Sequence, residues 1–213
     1  MNQNVQWVVD KKVERTIEAL KKNNMGGYYV KNHNELHNLL NELIPNGQTV
    51  SFGGAMTLFE TNTLDWLRNQ NLDLLDRYAE GLTPDDIKQM YRDAFSADTY
   101  LTSTNAITED GELYNVDGRG NRVAAMIYGP DQVIVITGTN KIVKNHEEAV
   151  ERNRRMAAPA NVKRLSRKTP CASLGYCTDC ESPDRICNAF VTISKQFDKD
   201  RIKVIFVDGQ YGY

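Results

Sequence analysis

Two kinds of residue cluster in this chain carry types and spacings suited to chemistry. One is a pair of polar, glycine-punctuated segments; the other is four cysteines crowded into a single stretch. In Ser51-Phe52-Gly53-Gly54-Ala55-Met56-Thr57 an apolar run ends in two glycines and a helical pattern begins. Glycines let backbone N–H groups approach a ligand closely, and a helix N-terminus adds about half a positive charge. Such a place suits a phosphate or carboxylate, with Ser51 or Thr57 as hydroxyl donors. The pattern is neither G-x-G-x-x-G nor a P-loop, so alone it reads equally as a tight strand-to-helix turn.

The second segment runs from Ser103 through Asn105 and Gly111 to Asn115-Val116-Asp117-Gly118-Arg119-Gly120-Asn121-Arg122. It sets small polar and charged residues after one strand and before another helix. Open α/β sheets bind ligands at the carboxyl ends of their strands, so this loop and the Gly53 loop are expected to meet there. Asp117 would serve as a base or a hydroxyl-binding carboxylate, and Arg119 and Arg122 would grip an anion. The plain alternative is a hairpin and loop with solvated charges.

The cysteines follow the spacing Cys171-x5-Cys177-x2-Cys180-x6-Cys187. Thiolates suit zinc or an iron–sulfur cluster, and a C-x2-C pair can hold one metal centre. Gly175 and Pro183 supply bends. The spacing has one C-x2-C knuckle where structural zinc uses two, and it matches no ferredoxin pattern. A redox pair at Cys177 and Cys180, or buried thiols without metal, therefore stay open. Between Arg152 and Lys168 stand Arg152, Arg154, Arg155, Lys163, Arg164, Arg167 and Lys168, with no acid among them. Such a stretch balances a thiolate cluster, binds a phosphorylated ligand, or simply forms a solvated or partner-docking helix face. His33 and His37 lie one helical turn apart, but in His-Asn-Glu-Leu-His the glutamate is misplaced for a zinc-protease motif, and they read as flanking residues. His146 reads as a helix-end residue, and no Ser-His-Asp hydrolase is expected.

The elements that must position these groups alternate. Val9, Val13, Ile17 and Leu20 repeat at helical spacing, predicting an N-terminal helix over about 5–24 that Gly26-Gly27 stops. Tyr28 to Val30 predicts a strand, and Asn32 with Glu35 a capped helix carrying Leu36, Leu39, Leu40 and Leu43. A strand at 48–52, a helix through Leu58, Leu64 and Leu67, and a strand at Leu72 to Leu75 follow. Thr83-Pro84-Asp85-Asp86 opens another helix. Beyond it the residues 98–105 look extended, Glu109-Asp110-Gly111 turns, and 112–116 returns. After a helix over 120–128, Val133-Ile134-Val135-Ile136 and Ile202 to Val207 read as strands covered on both faces. The sum is a single α/β domain over 1–213, a largely parallel open sheet flanked by helices, with a cysteine-rich segment at 169–188.

Hydrophobic residues at 40% and charged residues at 25% give ordinary globular composition, and a net charge of −2 does not suggest a nucleic-acid binder. The N-terminus lacks an apolar signal core, and no stretch approaches the roughly 18 apolar residues of a membrane span. A cytoplasmic protein with reduced thiols is expected.

The stretches SFGGAMTLFE, STNAITEDGELYNVDGRGNRVAAMIYGP and APANVKRLSRKTPCASLGYCTDCESPDRICN, in that order, resemble stand-alone LUD-domain (lactate utilisation) proteins over nearly the whole chain. These are similar to the C component of bacterial lactate-utilisation operons. The resemblance implies the fold shared by ribose-5-phosphate isomerase, CoA transferases and 5-formyltetrahydrofolate cyclo-ligase. More distantly, NAITEDGELYNVDGRGNRVAA resembles the sugar-phosphate-lining segment of methylthioribose-1-phosphate isomerase and its initiation-factor relatives. By position that implies Gly53, Gly54, Asn105, Asn115, Asp117, Gly118 and Asn121 as site residues; the cysteine segment is foreign to those enzymes. Because lactate-utilisation operons also encode iron–sulfur proteins, the resemblance tilts the metal reading toward an iron–sulfur cluster. Two functions follow as expectations. One is an accessory component of 2-hydroxy acid oxidation, carrying a metal cluster and docking to an iron–sulfur redox partner. The other is an enzyme of the sugar-phosphate isomerase or CoA/acyl-transferase kind, using the glycine and Asp117 loops on a small anionic or phosphorylated ligand.

Overall fold

The computed structural model describes residues 2–213. Helix α1 (Gln3–Lys22) starts at Asn2, whose side chain accepts from the Asn4 N–H, and ends on the basic pair Lys21 and Lys22, which suits the negative end of the helix. Strand β1 (Gly26–Val30) leads to α2 (His33–Leu43), capped by Asn32 as the sequence predicts. Then come β2 (Thr49–Phe52), α3 (Met56–Glu60), α4 (Thr63–Arg68) and β3 (Asp73–Leu75). The helix expected through Leu58 and Leu67 is thus two. Thr61 Oγ1 donates to the Thr57 carbonyl at 2.7 Å, and Asn62 takes the left-handed conformation (φ 54°) that asparagine tolerates. Helix α5 (Pro84–Asp93) has the full Thr83/Asp86 capping box with proline at its start.

Strand β4 (Thr99–Thr102) runs into the hairpin β5 (Ala106–Thr108) and β6 (Leu113–Asp117), and then α6 (Asn121–Ile127). Strand β7 (Gln132–Gly138) precedes β8 (Ile142–Val143) and α7 (His146–Arg152). A π-helical turn, Asn153–Ala157, links α7 to α8 (Ala158–Arg164). Pro159 has no N–H for the carbonyl four residues back, and a π-turn beside it absorbs that interruption. Short α9 (Cys171–Leu174), edge strand β9 (Ala189–Ile193) and β10 (Ile202–Val207) complete the order. Sequence patterning misses β8, which is two residues long, and β9, which lies at a sheet edge with Phe190 exposed.

Six strands form one parallel sheet in the order β1-β10-β7-β4-β2-β3, and four form a second sheet, β8-β5-β6-β9. In β7 the side chains alternate between two cores. Val133 and Val135 join Val13, Leu20, Val204 and Phe206 on one face; Ile134 and Ile136 join Leu36, Leu40, Leu58 and Ile205 on the other. This period of two with both faces covered is what a continuous β-branched run signals. The second sheet delivers Ile107, Leu113, Ile142 and Ile193 to the first of these cores, so it packs on the α1 side.

The hairpin is locked onto α1 at Gly111. Its φ is +78°, and a Cβ there would lie 2.7 Å from the backbone nitrogen of Leu20. Both constraints exclude a side chain. Gly111→Ala is expected to destabilise the protein by about 2 kcal/mol, from left-handed strain plus displacement of α1. Urea denaturation reads this as a lower midpoint at unchanged slope; an unaltered midpoint would mean that the hairpin and α1 are not tightly docked.

Candidate active site

After β2 the chain moves outward to β3, and after β4 it moves the opposite way to β7, although β2 and β4 are neighbours. Opposed connections leave a crevice at the carboxyl ends of the two strands, the usual ligand position in open α/β sheets. A cavity of about 590 Å³ occupies it, within the size range of small-molecule sites. Gly54, Ala55 and Met56 line it from the β2 side, and Ser103, Thr104 and Asn105 from the β4 side. The glycines are needed for close approach. A Cβ on Gly54 would meet the Tyr78 hydroxyl at 2.9 Å, and one on Gly53 would meet Thr102 Oγ1 at 3.0 Å.

Arg122 ties the loops together. Its Nε donates to Asp117 Oδ1 at 2.8 Å, one terminal nitrogen to the Ser103 carbonyl at 3.0 Å, and the other to Asn105 Oδ1 at 2.9 Å and the Val116 carbonyl at 3.1 Å. The second oxygen of Asp117 accepts from the Val123 N–H in the first turn of α6 at 3.2 Å. Both Asp117 oxygens are therefore engaged in holding Arg122 and α6.

The floor of the cavity holds a residue absent from the sequence-based site: Lys141, just beyond β7, only 2% exposed. Its Nζ lies 2.9 Å from Thr57 Oγ1, 3.1 Å from Ser103 Oγ and 3.2 Å from the Thr104 carbonyl. Burial, first, and then the positive charges of Arg152 and Arg122 push its pKa down to about 7, with Glu60 opposing. An unfolded lysine keeps its proton to about pH 10.4. The unfolded chain thus binds more protons between roughly pH 7 and that value, and the stability cost of burying this amine falls as pH rises through the window. The sequence signal for it is only its place shortly after the buried run Val133 to Ile136.

The walls are basic and aromatic. Arg77 lies 4.9 Å from the ring centre of Tyr91 and 5.3 Å from that of Tyr78, and its Nε is buried without a hydrogen-bond partner. Arg164 and Arg167 bring the basic stretch to the cavity, while Arg154 turns away toward Asp179 of the cysteine segment at 3.8 Å. The Tyr213 hydroxyl, also on the wall, is buried beside Arg164. Of the residues expected from sequence, Gly54, Asn105, Asp117, Gly118, Arg119, Asn121 and Arg122 all line the cavity. Gly53 and Thr57 stand behind its wall, against Arg122 and Lys141 respectively. Ser51 lies buried within β2, and Asn115 lies buried within β6 with its Oδ1 unpartnered; neither lines the cavity. His33 bonds Tyr211 and His37 bonds the Thr61 carbonyl, so these histidines fasten α2 to its surroundings.

Residues 13–207 match the sequence pattern of the LUD domain. The chain belongs to the LUD domain family. Among solved structures it is similar to a DUF162 family protein from Deinococcus radiodurans, with 15% identity and a TM-score of 0.54 over 94% of this chain and 98% of that one. That likeness supports the fold. No curated protein matches the chain. Among the described residues no helix of this LUD domain is long and apolar enough to cross a membrane.

The four cysteines are free thiols, Cys171 buried and Cys177, Cys180 and Cys187 partly so. Burial, first, and then the other three thiols push the Cys187 thiol up to about 11, Arg185 opposing. Cys171 Sγ contacts Thr169 Oγ1 at 3.2 Å, and Cys177 Sγ accepts from the Asp179 N–H at 3.3 Å. Among the described residues no three His, Cys, Asp or Glu side chains stand close enough to hold a metal ion. The thiols thus share a neighbourhood without forming the ligand shell expected for zinc or an iron–sulfur cluster. The segment does shape the cavity, since Ile186 lines it and Asn188 Nδ2 donates to the Gly118 carbonyl at 3.2 Å.

The ion pair at the cavity mouth is well shielded, with side-chain exposures of 15% for Arg122 and 9% for Asp117. Asp117→Ala leaves the guanidinium buried and unpaired, and should lower the unfolding free energy by about 3–5 kcal/mol. Asp117→Asn keeps an acceptor for the Val123 N–H and should lose less. Equal, negligible losses for both in a denaturation series would remove this pair from its organising role.

Proposed function

We propose that this LUD-domain protein binds a small phosphorylated or carboxylate metabolite in the crevice between β2 and β4. It acts on that ligand as an enzyme, of the sugar-phosphate isomerase or CoA/acyl-transferase kind. The observation that carries the reading is the charge of the cavity. Arg77, Arg119, Arg122, Arg164 and Arg167 line it against one carboxylate, Asp117, in a chain whose net charge is −2. A concave, partly desolvated surface of one sign concentrates ligands of the other. Arginine suits planar phosphate and carboxylate groups, and Arg77 retains an unused buried donor. The family's association with lactate utilisation fits, because 2-hydroxy acids and their relatives are anions. In this reading Asp117 positions Arg122 rather than removing a proton. The accessory redox reading depends on a cluster at the cysteines and draws less support from thiols without a ligand shell.

A thermal-shift panel of lactate, inorganic phosphate, a triose phosphate, a pentose phosphate and CoA tests it. A true ligand at a hundred times its Kd adds about 2.7 kcal/mol, a rise of roughly 5–10 °C for a domain of this size. Arg77→Ala or Arg164→Ala should weaken that rise. A flat response to every anion would defeat the proposal.

A further inference from the structure

Lys141 is among the largest side chains fully buried in this protein, and no acidic group pairs with it. No salt bridge among the described residues includes it. The charged groups acting on it are Arg152, behind the loop; Arg122, across the crevice; and Glu60, the single acid. A lysine kept only for structure would be expected to hold a carboxylate or to reach water.

Its three oxygen partners match the three N–H of an ammonium, and they also serve the amine uncharged. Nζ donates to the Thr104 carbonyl and to Thr57 Oγ1, and Thr57 passes its own hydroxyl hydrogen to the Tyr211 carbonyl at 3.2 Å. The remaining partner, Ser103 Oγ, is a hydroxyl and can donate to the nitrogen lone pair. Ser103 Oγ also lies 3.1 Å from Thr57 Oγ1, so its hydrogen can swing there and free the lone pair. Ser103 and Lys141 both line the cavity, where the basic wall would hold the acid group of a ligand.

We propose that Lys141 is the reacting amine of this pocket and condenses with the carbonyl carbon of a small anionic aldehyde or 2-oxo acid to form an imine. The proposal rests on the anion-pocket reading above and names its substrate class. In the step, the Nζ lone pair bonds to the carbonyl carbon while the C=O π pair moves to oxygen. A proton passes from nitrogen to that oxygen, with the Ser103 hydroxyl as the adjacent relay. The carbinolamine then expels the oxygen as water as nitrogen gives up its second proton, leaving C=N. One water is released and no electrons change hands. A desolvated lysine beside other cations is the environment in which such amines are nucleophilic near neutrality. Protonated again on nitrogen, the imine withdraws electrons from the neighbouring carbon more strongly than the carbonyl did, which assists a proton shift or bond cleavage there.

The test uses the full chain with two anionic aldehydes, pyridoxal 5′-phosphate and glyoxylate, reduced with sodium borohydride at pH 7.5 and mapped by peptide mass. Lys141 is expected to carry the reduced adduct about tenfold faster than any surface lysine, because far more of it is unprotonated. Excess inorganic phosphate should suppress that adduct, and Lys141→Met should lose it. Labelling of surface lysines with Lys141 untouched overturns the proposal, as does labelling of Lys141 that phosphate does not slow. Neither result depends on the variant folding. A phosphate-induced thermal shift without any Lys141 adduct defeats the imine and leaves the pocket reading intact; absence of both defeats the two together.

Discussion

The guanidinium of Arg122 is the tie on which the crevice depends. It donates at once to the Ser103 and Val116 carbonyls and to Asn105 Oδ1, groups on the separate segments that meet there. Buried carbonyls must be paired, and one planar group with five N–H donors pairs several at once. Asp117 makes that group tolerable in a shielded place by supplying its counter-charge, and at the same time anchors the first turn of α6. The cost is that both residues are largely committed, so the groups free to meet a ligand lie elsewhere on the wall.

Those groups come from elements far apart in the chain. The crevice exists because the connections after β2 and β4 diverge. The hairpin of the second sheet closes one side, α5 supplies Ile87 and Tyr91, α8 supplies Asn161 and Arg164, and the cysteine segment adds Ile186. Lys141 enters from beneath, at the end of the strand beside β4. Its depth follows from the sheet order rather than from any local motif. The segment around Tyr211 and Gly212 lies over it, with Asn140 and Glu60 holding that segment in place.

Much of this was legible in the sequence where the physics is local. The caps at Asn32 and Thr83, the two-faced strands at Val133 to Ile136 and Ile202 to Val207, and the parallel α/β class each follow from periodicity or capping chemistry. The glycine loop and the Asp117 loop were expected to meet, and seven of the residues named from them line one cavity. What the sequence hid is what depends on tertiary context. Arg77 stands on a segment with no motif, Tyr91 on a helix whose sequence marks its cap but not its cavity face, and β9 is an exposed edge. Lys141 is an ordinary lysine until the sheet buries it. The cysteines gave a spacing, and spacing alone does not fix whether four sulfurs point at one centre.

The imine chemistry turns on a neutral, buried amine at the floor of the crevice. NMR of protein carrying 13C,15N-labelled lysine, with the Lys141 signal assigned by its loss in Lys141→Met, follows that amine directly as pH is raised. A titration midpoint of about 7 is expected for Lys141, well apart from the surface lysines. A midpoint with the others, near 10.4, would mean that the amine is charged at neutral pH and is no nucleophile there.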